Sequence, residues 1–526
     1  MAAYMAASAD LSALADLLRQ RGLLREVAGS TDGVSISGVQ FDSREVAASD
    51  LFVAITGAET DGHLYGARAL ERGAAALIVE RPLPDVPVPQ LVVTSSRSAM
   101  AMAAAWVNGF PSRALGVIGI TGTDGKTTTS YLVRGMLTEC GFPAGLLTTI
   151  EAVIGGESHG YLGHTTPEAP VIQADLRAML DAGDRFAIVE TTSHGLALER
   201  VAEVAYDIAV LTNITHEHLD LHGTYEAYVS AKRSLFSRLA PSEANPDKGY
   251  GKHAVINARD AEGASFAVAA RGAGAKVLTY SVGDDIAADI VGKNVRDLPG
   301  GVALRVRTAR WEDDIEVHLA GSFNAHNALA AIGVGEALGL DPAQMRAGLA
   351  SVRHVTGRMQ PVDAGQPFEV YVDFAHTPGA LAATIAALAP VAAARGGGVI
   401  SLFGSPGSRD IAKRPMMGAA AAEHSRVVIV TADDPRNEDP AAIAEEIAAG
   451  AVAAGRTRGA DLIIEPDRRA AIRRAFEIAT PSDIVLLAGK GHEPTIALKA
   501  GPQPWNEPEI ARQVLRELGY SADSKR

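Results

Sequence analysis

Leu115-Gly-Val-Ile-Gly-Ile-Thr-Gly-Thr-Asp-Gly-Lys-Thr-Thr128 decides how this chain is read. Residues 115–121 form a continuous apolar run of strand length, closed by a glycine-rich turn. After Lys126 the pattern becomes helical and stops at Gly141. A strand that feeds a helix through such a turn offers backbone N–H groups and the positive end of the helix to an anion. Lys126 then reaches the outer phosphates of a nucleotide, and the Thr127 hydroxyl suits magnesium. The common phosphate-loop pattern has a glycine five residues before Gly125. Here that residue is Ile120, and Gly122 serves as the early glycine of a shortened loop.

The same alternation extends in both directions. Apolar runs at residues 51–55, 75–79, 186–190 and 208–212 are separated by helical patterns, and a helix is expected over residues 225–239. A further unit begins near Gly357, with strands expected at 369–373, 399–403, 427–431 and 484–487. This predicts parallel sheets with helices packed on them, doubly wound in the last unit. The expected domains are residues 1–113, 114–355 and 356–526. Residues 82–89 read as a proline-rich connector and 241–252 as a surface loop. Residues 381–394 are mostly alanine and contain Pro390, so they read as a packed helix and not as a membrane span.

Composition narrows the function. The 526 residues suffice for several cores. With 62 acids against 48 bases the net charge is −14, which argues against a protein that coats nucleic acid. Any phosphate-bearing ligand must be held by local donors. A single cysteine, Cys140, excludes a disulfide framework and a cysteine-built metal site. The N-terminus lacks the basic region of a signal peptide, so a cytoplasmic protein is expected.

The loop TGTDGKTT (residues 121–128) resembles the ATP loop of the Mur ligase family, with Asp124 where asparagine is customary. The resemblance continues in order through FDSREVAASDLFVAITG (41–57), DGH (61–63), VETTSHGLALER (189–200) and TNITHEHLDLHGTYEAYVSAK (212–232). GSFNAHNALAA (321–331), GRM (357–359), DFAHTP (373–378), KRPMMG (413–418), DDPRNEDP (433–440) and AGKGHE (488–493) follow. It is to the branch that adds the third residue of the peptidoglycan stem peptide. The resemblance implies an N-terminal uridine-nucleotide α/β domain, a central P-loop-type ATPase parallel sheet and a C-terminal Rossmann-like doubly wound domain. It implies an ATP-dependent amide-forming ligase of cell-wall synthesis that adds a diamino acid to UDP-N-acetylmuramoyl-L-alanyl-D-glutamate, with Mg2+ as cofactor and ATP as co-substrate. The partners implied are small molecules alone, with no nucleic acid and no membrane span, and the protein is expected to be a monomer.

Residue by residue, the resemblance assigns ATP to Gly122, Thr123, Asp124, Gly125, Lys126, Thr127, Thr128, Asn324, Asn327, Arg358 and Asp373. Metal falls to Thr127, Glu190, His218 and Lys232, the last as a carbamate, and Lys126, Glu190, His218 and Lys232 are the implied catalytic set. Phe41, Ser43, Thr165, Thr166, Thr192 and Arg200 match positions that bind the UDP-muramoyl-dipeptide. Arg409, Asp433, Asp434, Pro435, Arg436, Gly489 and Glu493 match the amino-acid pocket. Read without the resemblance, Glu190 ends a buried strand on the phosphate-loop side of a parallel sheet, where an acid can hold magnesium. His218 alone reads as a loop histidine and Lys232 alone as a solvated charge.

The incoming amino acid turns on residues 433–436. The family's diaminopimelate pattern is DNPR, and here it is DDPR. Arg436 favours a distal carboxylate, which a planar guanidinium grips bidentately. Asp434 favours an amine. meso-Diaminopimelate offers both and is preferred. A pairing of Arg436 with Asp434 would instead free the pocket for lysine or ornithine. More distant alternatives are another Mur or folylpolyglutamate-type ligase and a P-loop switch or binding protein.

Overall fold

A computed structural model describes residues 9–57, 60–160, 164–215, 219–240, 248–298, 300–408 and 410–521. The chain gathers into two compact units. The first comprises Met1–Gly122, Leu137–Thr279 and Val334–Gly339; the second comprises Thr123–Met136, Tyr280–Gly333 and Leu340–Arg526.

The first unit opens with a five-stranded sheet in the order Leu24–Ala28, Gln90–Val93, Ala76–Val79, Asp50–Val53, Gly38–Gln40. Its inner strands are short, apolar and buried on both faces, as parallel strands must be when helices cover them. The alanine-rich helix Ser96–Val107 packs into the same core through Ala99, Met100 and Ala103. In the following sheet Gly116–Thr121 lies between Phe186–Glu190 and Ile208–Leu211, parallel to both. His253–Asn257 and Ala144–Leu147 extend it on either side. All six residues of Gly116–Thr121 are buried. Because these strands run in one direction, their C-terminal ends bring Gly122, Glu190 and Thr212 to one edge, where ligands of open α/β sheets bind.

The second unit holds an antiparallel meander, Ile290–Leu298, Gly301–Arg307 and Glu312–Val317, and residues 324–333 of the helix Asn324–Leu338. A six-stranded sheet follows, in the order Gln360–Pro361, Glu369–Asp373, Ile484–Ala488, Val399–Phe403, Ser425–Val430, Leu462–Ile464. Separate apolar clusters line its two faces, Leu381, Ile385 and Met417 on one and Ile472, Val514 and Leu515 on the other. That is doubly wound packing. The helix Pro378–Ala393 carries Pro390 inside it, and no described helix is long and apolar enough to cross a membrane.

Two expectations need correction. The sheets are mixed, since Leu24–Ala28, the hairpin Ala152–Ile154 with Glu157–Ser158, the meander and Gln360–Pro361 all pair antiparallel. These elements are short or alternate with charged residues, as strands with a solvated face do, so they lack the continuous apolar run of a parallel strand. Residues 241–252 are not simply a surface loop. Residues 241–247 lie outside the described residues, but the ammonium groups of Lys248 and Lys252 are buried against Asp207, at 2.7 and 3.1 Å. Asp207 also accepts the backbone N–H of Val117, so this cluster braces the start of the strand that leads to the phosphate loop.

Candidate active site

The phosphate loop is built as the glycine spacing requires. Gly122 and Gly125 both take positive φ, 149° and 81°. A Cβ at Gly122 would collide with the Thr212 hydroxyl, and one at Gly125 with the side-chain oxygen of Asn327. Only glycine fits either place. The Lys126 ammonium folds back onto the Thr123 carbonyl at 2.7 Å. Arg358 Nη2 donates to Thr127 Oγ1 at 3.2 Å, and its guanidinium lies 4.6 Å over the Phe374 ring. Asp373 accepts the N–H groups of Met359 (2.7 Å) and Ala375 (2.8 Å). Burial pushes its carboxyl above the usual range, and the Arg358 charge partly opposes this. Asn324 and Asn327 begin their helix as read, and both are buried. Their amides are engaged: Asn324 Nδ2 donates to the Ala320 carbonyl, and Asn327 Nδ2 to Asn324 Oδ1. Thr129 Oγ1 donates to Asn327 Oδ1, which ties the loop helix to this pair.

A second cluster surrounds Glu190. Its carboxylate accepts both the backbone N–H and the hydroxyl of Thr149, each at 3.2 Å. The same Thr149 hydroxyl lies 2.9 Å from Thr165 Oγ1, from which it can accept. Thr166 bonds the Glu190 carbonyl and the Thr192 hydroxyl, both at 2.9 Å. Thr192 also caps the short helix Ser193–Ala197. Arg200 donates to the Thr166 carbonyl and pairs with Glu168 at 2.8 Å. Glu190, Thr165, Thr166, Thr192 and Arg200 are thus brought together. Thr149 links them, although nothing in its local sequence distinguished it. On the helix Tyr225–Ser237, Lys232 is 2% exposed and not a solvated charge. Its Nζ donates to the Gly122 carbonyl at 2.7 Å and lies 4.7 Å over the Tyr228 ring. His218 lies outside the described residues. In the N-terminal sheet region Phe41 is exposed and Ser43 buried.

The third cluster occupies strand ends of the C-terminal sheet. Asp433 follows Ser425–Val430, and Gly489 follows Ile484–Ala488, its N–H donating to the Asp373 carbonyl at 3.1 Å. Asp434 and Arg436 flank Pro435 with left-handed φ of 46° and 55°. The pairing of Asp434 with Arg436, left open on sequence grounds, is not made. Asp434 Oδ1 instead accepts Lys490 Nζ at 2.7 Å and the Ala497 N–H at 2.8 Å. Lys490 also reaches Glu493 Oε2 at 2.7 Å and lies 3.9 Å from Asp433. Burial pushes the Glu493 carboxyl up to about 7, against the pull of Lys490. Asp433, Asp434 and Glu493 place three carboxylate oxygens within 4.8 Å of one another. Lys490 was inside a quoted motif, AGKGHE, but only its flanking residues were assigned. Arg409 lies outside the described residues.

Known proteins match the chain over nearly its whole length. The model described as "Mur ligase family, catalytic domain" matches residues 35–114, "Mur ligase middle domain" residues 120–335, and "Mur ligase, glutamate ligase domain" residues 357–491. A UDP-N-acetylmuramyl-tripeptide synthetase of Roseiflexus sp. is 46% identical over 92% of this chain and 95% of its own. A UDP-N-acetylmuramoyl-L-alanyl-D-glutamate--2,6-diaminopimelate ligase of Geobacillus kaustophilus is 37% identical over 92% and 96%. A solved diaminopimelate ligase of the same description superposes with a TM-score of 0.66 at 28% identity, covering 98% of this chain and 100% of that one. With matches to all three domains and an order of motifs that follows the sheets, the chain belongs to the Mur ligase family.

Proposed function

We propose that this protein uses ATP to join meso-diaminopimelate to UDP-N-acetylmuramoyl-L-alanyl-D-glutamate, as the names of its relatives suggest. A carboxylate oxygen of the nucleotide substrate attacks the γ-phosphorus of ATP, the bond to the β-phosphate oxygen breaks, and ADP leaves. The resulting acyl phosphate is attacked at its carbonyl carbon by an amine of the amino acid. A tetrahedral intermediate collapses, phosphate leaves and the nitrogen loses its proton. No protein nucleophile is needed, and the chain contributes positioning and charge neutralisation.

The loop from Gly122 to Thr128 would hold the phosphates, with Lys126 and Arg358 facing the charge that develops on them. Asn324, Asn327 and Asp373 would complete the ATP site. Phe41, Ser43, Thr165, Thr166, Thr192 and Arg200 would take the UDP-muramoyl-dipeptide, and Arg409, Asp433, Pro435, Arg436, Gly489 and Glu493 the amino acid; Asp434, expected from the sequence to take the substrate's amine, is bound by Lys490 instead. Thr127 offers magnesium one hard oxygen, and Glu190 and His218 with a carbamylated Lys232 would hold a second ion, a donor set that fits. When bound, magnesium would neutralise phosphoryl oxygen charge. The Lys232 environment supports the carbamate. A carbamate keeps one N–H on the former ammonium nitrogen, so the bond to the Gly122 carbonyl survives modification. The domains are taken as residues 1–113, 114–355 and 356–526, in a cytoplasmic monomer.

The observation that carries the choice of amino acid is the bond between Asp434 and Lys490, which leaves Arg436 to a distal carboxylate. The test is phosphate release from ATP plus UDP-muramoyl-dipeptide. A ligase releases phosphate in step with tripeptide only when diaminopimelate is added. Release that ignores both the nucleotide substrate and the amino acid would mean a P-loop switch instead.

A further inference from the structure

We propose that Lys490 is a positioning residue of the amino-acid pocket: its ammonium takes up the charge of Asp434 and so keeps Arg436 open to the substrate's distal carboxylate. This rests on the function proposed above and says how this chain achieves it with aspartate where the family pattern has asparagine. Lys490 is 0% exposed and follows the central strand Ile484–Ala488, so its ammonium has no water to turn to. It divides two short bonds between Asp434 and Glu493, both 2.7 Å. Asp433 stands 3.9 Å away.

The backbone explains why these bonds matter for Arg436. Ala497, in the strand Thr495–Leu498, donates its N–H to the Asp434 carboxylate and accepts the Arg436 N–H at 2.8 Å. The turn is therefore pinned on both sides of Pro435 by a single residue. With Asp434 bound to Lys490, no ion pair joins Arg436 to a carboxylate among the described residues. Other charges face the cluster too. The Arg468 guanidinium feels Asp433 and Glu493, but its own hydrogen bonds go to Glu507 and to the carbonyls of Ala432 and Ala488. If Lys490 lost its charge, Arg436, two residues along the same turn, would be the cation closest in sequence to Asp434. A guanidinium bound there would no longer serve a substrate carboxylate.

A double-mutant cycle in the full-length protein tests this, with Lys490→Met, Asp434→Asn and the double variant. Lys490→Met should raise KM for meso-diaminopimelate by about tenfold or more, while KM for ATP and for the UDP-dipeptide moves by less than about threefold. Adding Asp434→Asn should recover most of that loss, since the charge that Lys490 neutralises is gone. Additive losses, or a common rise in all three KM values, would overturn the proposal. If Lys490→Met alone does not fold, the double variant is compared with Asp434→Asn. Agreement within about threefold supports the proposal and a further large loss refutes it. A wild type that ignores diaminopimelate overturns the substrate reading and this proposal together; an active wild type with an additive cycle overturns the proposal alone.

Discussion

Lys232 and Lys490 are both sealed from water, yet their surroundings differ in kind. Lys232 rests on a backbone carbonyl and the face of a tyrosine ring. Lys490 sits among three carboxylates, which hold its proton more tightly than usual despite burial. Three acids lock a charge in place and make a lysine an electrostatic fixture. At Lys232 the proposed modification would turn an amine into an acid, since CO2 adds to the unprotonated nitrogen. The contrast teaches that a buried lysine is read from its partners and not from its burial.

The largest expected effects separate Lys232 from Lys126. Lys126→Ala should lower ligation by about a thousandfold or more with the fold intact, because it removes charge opposite the phosphoryl transition state. Lys232→Ala should be comparably inactive, but acetate or formate should restore part of its turnover by supplying a carboxylate near the metal. Equal rescue of both variants, or of neither, would erase the distinction. Intact-mass analysis of the wild type in bicarbonate, with and without Lys232→Ala, reads the modification directly.

Next in size is a pair that supports the Lys490 cluster from below. Arg468 and Glu507 are both buried, and Arg468 also bonds the carbonyls of Ala432 and Ala488, the residues just before Asp433 and Gly489. Arg468→Met leaves the Glu507 charge stranded and should cost about 3–5 kcal/mol of stability. Thermal unfolding checks this, and a loss below about 1 kcal/mol would mean the pair is expendable.

The smallest effect concerns Asp175, away from the site. Burial pushes its carboxyl up to about 7, and its Oδ2 has no hydrogen bond among the described residues. A carboxyl raised in the folded state is worth most below its unfolded value and loses that contribution as pH climbs through 7. Asp175→Asn should therefore unfold a few degrees higher than wild type at pH 8, with the gap closing below about pH 4. A gap that is constant with pH would remove the titration from the account.

Much of this was legible in the sequence where the physics is local. Residues 186–190, 369–373 and 399–403 match their strands to the residue, because a continuous apolar run between turns has one solution in a covered parallel sheet. The meander from Ile290 to Val317 was missed because strands such as Glu312–Val317 carry mostly charged residues and offer no such run. The phosphate loop was readable because glycine, lysine and threonine at fixed spacing have a mechanism. Lys490, Thr149 and the Lys248–Asp207–Lys252 cluster were not, since each owes its role to partners 41 or more residues away. Long-range pairing of that kind leaves no periodic trace.

The most direct test of the account is a competition in one vessel. ATP, UDP-N-acetylmuramoyl-L-alanyl-D-glutamate and equal concentrations of meso-diaminopimelate, lysine and ornithine are given to the wild type, and products are weighed by mass spectrometry. The account predicts that the diaminopimelate adduct dominates, because Lys490 occupies Asp434 and Arg436 awaits a second carboxylate. A product pool dominated by the lysine or ornithine adduct would contradict it.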